Sequence, residues 1–157
     1  MALENGTLAP DFVLSNQFGE QVRLSDFRGI KPVVLVFFPL AFSGTCTTEL
    51  CELRDNLGMF VDNAVEVLGI SVDSKSALRA YAEHEKYTFN LLADFWPHGA
   101  VATDYGVFLP EHGFANRATF LIDAEGVLRA SFVTSPGEVR PLVAYREALA
   151  KLAPLVV

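Results

Sequence analysis

Between Val33 and Phe38 six consecutive residues, VVLVFF, are β-branched, aliphatic or aromatic, without one polar side chain. A strand with one wet face alternates; a run without alternation fits a central strand buried on both faces. Such a strand needs a covering layer on either side, so the chain must also supply helices and neighbouring strands. Pro39 closes the run, because its ring fixes φ and removes a donor. The whole apolar stretch, VVLVFFPLAF, is far short of the roughly 18 to 20 residues that cross a bilayer.

The remaining segments alternate in type. FVLSN (12–16) and QVRLSDF (21–27) read as short strands about the turn Phe18-Gly19-Glu20. Thr47 to Val61 has helical spacing, with Leu50, Leu53, Leu57 and Phe60 on one stripe. VEVLGISVD (65–73) is a second buried strand, and Ser74 or Ser76 caps a helix from Ala77 to Lys86. NLLAD (90–94) reads as a short strand, and Pro97 suits the first turn of a helix running through Tyr105. ATFLID (118–123) and VLRASFVT (127–134) form a hairpin about Ala124-Glu125-Gly126. Glu138 to Leu152 closes the chain as a helix. Strand, helix, strand, helix, then hairpin and helix predicts an α/β fold, a mixed central sheet flanked by helices. Nothing resembles a linker, a repeat or a low-complexity tract, and 157 residues suit one domain over 1–157.

Composition narrows the partners. With 51% hydrophobic and 20% charged residues the chain is a packed globule. Its net charge, 12 − 19 = −7, disfavours nucleic acid and anionic membranes. MALENGTLAPDF lacks the basic start and apolar core of a signal peptide, so a cytoplasmic location is expected. There, two cysteines more often serve redox chemistry than a structural disulfide.

Both cysteines lie in PLAFSGTCTTELC, residues 39 to 51. Cys46 falls at, or just before, the first turn of the helix from Thr47, where a buried strand gives way to a helix. In open α/β sheets ligands gather at such places. Free amides and the positive end of the helix dipole favour a thiolate there. Pro39 covers the sulfur without competing for its hydrogen bonds, and Ser43 supplies a small hydroxyl for the sulfur or for an incoming hydroperoxide. The competing reading of Cys46 is a small core residue.

The spacing P-x-x-x-[ST]-x-x-C, here Pro39, Ser43 and Cys46, is the signature of the peroxiredoxins, which this chain resembles. PLAFSGTC, DFWPHGAV (94–101), YGVF (105–108), ANRATF (115–120) and PGEVR (136–140) look like the alkyl hydroperoxide reductase E subgroup, described as one-cysteine peroxiredoxins. APDFVL near the start matches too, so the resemblance covers nearly the whole chain. It implies a thioredoxin-like fold, reduction of hydrogen peroxide and organic hydroperoxides, and a place in antioxidant defence. By motif, Cys46 is the peroxidatic cysteine, Pro39 shields it, Ser43 orients the peroxide, and Arg117 stands behind the sulfur. Arg117 read alone is a surface arginine before a strand. Glu49 matches a position near the site, or is a favourable charge in the first turn of a helix.

Cys51 departs from that subgroup. Its C-x4-C spacing resembles the Q-type, or bacterioferritin-comigratory-protein, peroxiredoxins, in which the second cysteine resolves the first. Five helical residues rise about 7.5 Å, beyond the Cα separation of about 4.4 to 6.8 Å that a disulfide accepts. A Cys46–Cys51 bond therefore requires the helix to open; otherwise Cys51 is a buried helix residue. The resemblance also implies a homodimer, and thioredoxin, a mycoredoxin- or glutaredoxin-like protein or a low-molecular-weight thiol as reductant. No cofactor is expected, and His84, His98 and His112 are too scattered for a metal site. The rival reading is a redox adaptor whose oxidation by peroxide is signalled to a partner protein. A copper-delivering thioredoxin-like protein would need C-x-x-x-C, which is absent.

Overall fold

The computed structural model describes residues 3–152. Its centre is a seven-stranded mixed sheet in the order β2-β1-β5-β4-β3-β8-β9. The strands are β1 (Val13–Ser15), β2 (Gln21–Arg23), β3 (Val33–Phe37), β4 (Glu66–Ser71), β5 (Asn90–Ala93), β8 (Arg117–Ile122) and β9 (Leu128–Thr134). Strands β3, β4 and β5 run parallel, and β8 returns antiparallel beside β3 with Phe37 opposite Ala118. The helices are α1 (Gly44–Asp55), α2 (Gly58–Val61), α3 (Lys75–Glu85), α4 (Ala100–Asp104) and α5 (Leu142–Ala150).

The period of the pleat explains why VVLVFF could be uniformly apolar. Val34, Val36 and Phe38 enter one core with Leu50 and Leu53 of α1, Tyr81 of α3 and Tyr145 of α5. Val33, Leu35 and Phe37 enter the other, with Phe12, Tyr105 and Phe120. Every residue from Val33 to Phe38 is buried, and each such side chain contributes about 1.5 to 3 kcal/mol of burial. On β8 the same alternation sends Ala118, Phe120 and Ile122 to the second core. Arg117, Thr119 and Leu121 therefore take the face carrying α1 and α5.

Several boundaries differ from expectation. Leu24–Phe27 is a 3-10 turn, because Asp11 Oδ1 accepts from the Ser25 amide at 2.9 Å and bends the chain after β2. Helix α1 begins at Gly44, three residues early, and stops at Asn56, whose side-chain amide donates to the Glu52 carbonyl. The stripe through Leu57 and Phe60 belongs to the separate turn α2. Ser74 caps α3, accepting from the Ala77 amide at 3.2 Å. Pro97 lies three residues before α4 in a cis Trp96–Pro97 turn. Buried Asp94 instead receives the Val101 and Ala102 amides of α4. Helix α5 starts at Leu142 rather than at Glu138, because Pro141 holds Arg140 out of the helical region. A two-stranded hairpin, β6 (Phe108–Leu109) and β7 (Phe114–Ala115), is too short for any sequence period to reveal.

Candidate active site

Strand β3 ends at Phe37, and Phe38 still donates its amide to the Ile70 carbonyl of β4. Pro39 follows, buried, and the chain turns through Leu40, Ala41 and Phe42 into α1. The turn is pinned to the end of β4: the Ala41 amide donates to Asp73 Oδ2 at 2.8 Å, and the Ser71 hydroxyl donates to the same oxygen at 2.6 Å. Phe42 adopts φ 66°, unusual for a bulky residue, and lays its ring against Tyr81 at 4.8 Å.

Ser43 is the N-cap of α1, its hydroxyl accepting from the Cys46 amide at 3.4 Å. The hydroxyl oxygen accepts from the helix end and makes no bond to the sulfur, while its O–H remains able to donate. Cys46 is the third residue of the helix, two places inside its start, and has no exposed surface. The first amides of the helix, on Gly44 and Thr45, find no acceptor among the described residues and supply positive potential at that end.

Arg117 completes the charge at the sulfur. Its Nη2 donates to Cys46 Sγ at 3.0 Å, its Nη1 to Glu49 Oε1 at 3.0 Å, and its Nε to the Pro136 carbonyl at 2.6 Å. Only 1% of Arg117 is exposed, so the surface reading of this arginine does not hold. Its reach to α1 follows from β8 alternation, and the antiparallel return of β8 beside β3 sets it next to the end of the central strand.

Glu49 lies one turn after Cys46 and is as buried as the arginine. It is not a first-turn helix charge; it is a bracket for two cations. Besides Arg117, it receives the Arg140 amide on Oε2 at 2.7 Å, Arg140 Nε on Oε2 at 2.9 Å and Arg140 Nη2 on Oε1 at 2.5 Å. Burial alone would raise the Glu49 carboxyl. The hydrogen bonds and charge of Arg140, then the charge of Arg117, override it and hold the carboxyl below the ordinary carboxylate range. Arg140 also donates to the Ala118 carbonyl at 2.8 Å and to Thr119 Oγ1 at 3.1 Å, which ties the cluster to β8.

Arg140 has no counterpart among the sequence-derived site residues. PGEVR enters the sequence reading only as part of the subgroup resemblance, with Glu138 to Arg140 placed in the closing helix, and only the position of Arg140 just before Pro141 hints at an extended residue. A guanidinium with 1% exposure becomes intelligible once Glu49, 91 residues earlier, is seen beside it.

Cys51, one and a half turns along α1, is half-buried and free, as is Cys46. The helix between them is intact. The expected separation of about 7.5 Å along its axis therefore stands, and closure of a disulfide requires unwinding. Among the described residues no three His, Cys, Asp or Glu side chains converge as metal ligands would. The site therefore offers a caged sulfur, a fixed guanidinium against it and a helix start, a set suited to stabilising charge on sulfur and on an oxygen leaving it.

Comparison with known proteins agrees with this chemistry. The sequence matches the AhpC/TSA family over residues 5–131. It is 47% identical over 150 residues to alkyl hydroperoxide reductase E of Mycobacterium tuberculosis, covering 96% of this chain and 98% of that protein. It is 39% identical over 137 residues to peroxiredoxin Bcp of Escherichia coli K12, covering 83% and 85%. Among solved structures, peroxidoxin BcpB from Mycobacterium tuberculosis matches with a TM-score of 0.84 at 30% identity over 99% of each chain. The reduced 2-Cys peroxiredoxin of Plasmodium vivax matches with a TM-score of 0.85 at 28% identity, over 93% of this chain and 80% of that one.

Proposed function

The chain belongs to the AhpC/TSA family, the peroxiredoxins, and from that membership we propose how its residues divide the work of a thiol peroxidase. It reduces hydroperoxides at the expense of thiols, through a thioredoxin-like fold. Cys46 is the attacking sulfur. Its thiolate takes the terminal oxygen of the hydroperoxide: the S–O bond forms, the O–O bond breaks, and the departing alkoxide or hydroxide leaves as alcohol or water after gaining a proton. Arg117 and the first amides of α1 stabilise the charge as it moves from sulfur to the departing oxygen. Pro39 keeps water and competing donors from the sulfur. Ser43 fixes the helix start and presents its hydroxyl towards the peroxide. Glu49 and Arg140 hold the Arg117 guanidinium in place.

The observation that carries this reading is the 3.0 Å contact of Arg117 Nη2 with a fully buried Cys46 Sγ. Stopped-flow oxidation with hydrogen peroxide and an alkyl hydroperoxide tests it. Cys46→Ser abolishes the reaction, and Arg117→Met slows it at least about 100-fold, the usual cost of one lost charge-stabilising donor. Equal reactivity of Cys46→Ser and the natural protein removes the assignment.

Cys51 resolves the sulfenic acid on Cys46 after α1 opens locally, giving an intramolecular disulfide and water. Mass spectrometry after one equivalent of peroxide reads this: Cys51→Ser prolongs the sulfenate and raises over-oxidation. A persistent sulfenate with Cys51 free in the natural protein refutes it. The reductant of the disulfide is thioredoxin, a mycoredoxin- or glutaredoxin-like protein or a low-molecular-weight thiol. Following the resemblance, the protein works as a homodimer, and a cytoplasmic location suits two cysteines used for redox chemistry.

A further inference from the structure

A second polar cluster, on the side of α1 turned towards α3, has no part in the steps above. Cys51 Sγ lies 3.3 Å from Glu85 Oε1, to which the thiol donates, and 3.4 Å from the Tyr87 hydroxyl. Glu85 is the last residue of α3 and is itself held. His84 Nδ1 sits 2.8 Å from its other oxygen, and Arg54 of α1 donates to its carbonyl at 2.6 Å with Nη1 4.0 Å from Oε1. The hydrogen bond from His84, then that from Cys51, keeps the Glu85 carboxyl below the ordinary carboxylate range. The chain continues to Tyr87, whose hydroxyl lies 3.5 Å from both the Thr47 carbonyl and the Tyr81 hydroxyl, and Tyr81 meets Thr47 Oγ1 at 3.0 Å. Thr47, Cys51 and Arg54 are spaced along one face of α1, and all three are tied to the end of α3 or the residues just after it. No hydrogen bond of the cluster reaches Cys46.

These ties oppose the unwinding that disulfide closure needs. A thiol bonded to a charged acceptor must break that bond before it can travel. We propose that Glu85 is a positioning residue for the second half-reaction: it holds Cys51 docked against α3 and α1 wound, and so sets how fast Cys51 reaches the oxidised Cys46. The inference rests on the reading of Cys51 as the resolving thiol. The step balances within the chain. An Sγ–Sγ bond forms, the S–O bond of the sulfenic acid breaks, and its hydroxyl leaves with the Cys51 proton as water. The clasp favours the wound helix that places Cys46 beside Arg117 for attack, and it lengthens the life of the sulfenic acid, during which further peroxide produces the sulfinic acid.

Rapid-quench mass spectrometry separates the two phases, a peroxide-dependent oxidation and a peroxide-independent closure. Glu85→Gln keeps the shape and an acceptor oxygen but removes the charge. Closure is expected to run about 3- to 10-fold faster, the difference between a charged and a neutral acceptor, with less sulfinic acid at a given peroxide dose. Tyr87→Phe, which leaves Glu85 in place, accelerates closure in the same direction by less. Acceleration confined to closure is the signature of the clasp; a general loosening of α1 disturbs the oxidation phase as well, and that result overturns the proposal. Equal or slower closure in Glu85→Gln also overturns it. If the natural protein forms no Cys46–Cys51 disulfide, the resolving role of Cys51 falls instead. The hold of Glu85 is then read in Cys46→Ser protein by iodoacetamide: faster alkylation of Cys51 in Glu85→Gln sustains it, equal rates refute it.

Discussion

The charge on Glu49 holds the site together from behind. Four donors converge on this one carboxylate, from Arg117 and from the main chain and side chain of Arg140. Glu49→Gln leaves two guanidiniums, each 1% exposed, without the carboxylate they share. Removing one partner from a buried ion pair costs about 3 kcal/mol or more, because the stranded charge keeps its desolvation penalty. Chemical denaturation of the two proteins measures the difference. Its pH dependence has a definite sign: the folded carboxyl is depressed, so its contribution is complete above the unfolded value of about 4.3 and is lost as pH falls through the folded one. The gap between the natural protein and Glu49→Gln should be flat from neutral pH to about 5 and should narrow in more acid solution. A gap that widens on acidification contradicts this account.

The elements show how far a sequence speaks for itself. VVLVFF and VEVLGISVD were readable because both are short and rich in β-branched residues, which favours a buried strand over a helix. Pro39, Ser43 and Cys46 were readable because their spacing resembles a family signature. The true start of α1 was not, since Gly44 is a poor helix former and the turn carries no acidic residue to mark it. The division between α1 and α2 was hidden by an apolar stripe that runs unbroken through both. Arg140 was the largest gap in the site, because a buried cation is defined by partners far away in sequence. Gly69 is of the same kind: it passes as an ordinary strand residue, yet a Cβ there would meet Leu91 Cδ2 at 2.8 Å and Phe38 Cε1 at 3.4 Å. Strand β4 is in the middle of the sheet and cannot shift away. Gly69→Ala is expected to cost about 1 to 3 kcal/mol by overpacking, read as a lower urea midpoint with an unchanged slope.

Viewed as a whole, the molecule exposes two adjacent aromatic side chains on one short turn. Trp96 is 81% exposed and Phe95 51%, in the segment DFWPHG that precedes α4. The proposed homodimer gives this pair a place to be covered. Because Trp96 is the single tryptophan, its emission reports directly on the event: dilution of a dimer should shift the band to the red as the indole meets water. Trp96→Glu should lower the mass seen by sedimentation to that of one chain. An unchanged emission band with a dimeric mass at every concentration would place the contact elsewhere.

The seclusion of Cys46 also sorts its visitors by bulk. The sulfur has no exposed surface, so a folded carrier of electrons, with a main chain around its own sulfur, stays outside. A protein reductant thus cannot meet Cys46 in this shape of the protein. Under the proposed resolving role of Cys51, the oxidising equivalent is ferried outward by the polypeptide itself, and turnover becomes a matter of how readily one short helix melts and re-forms.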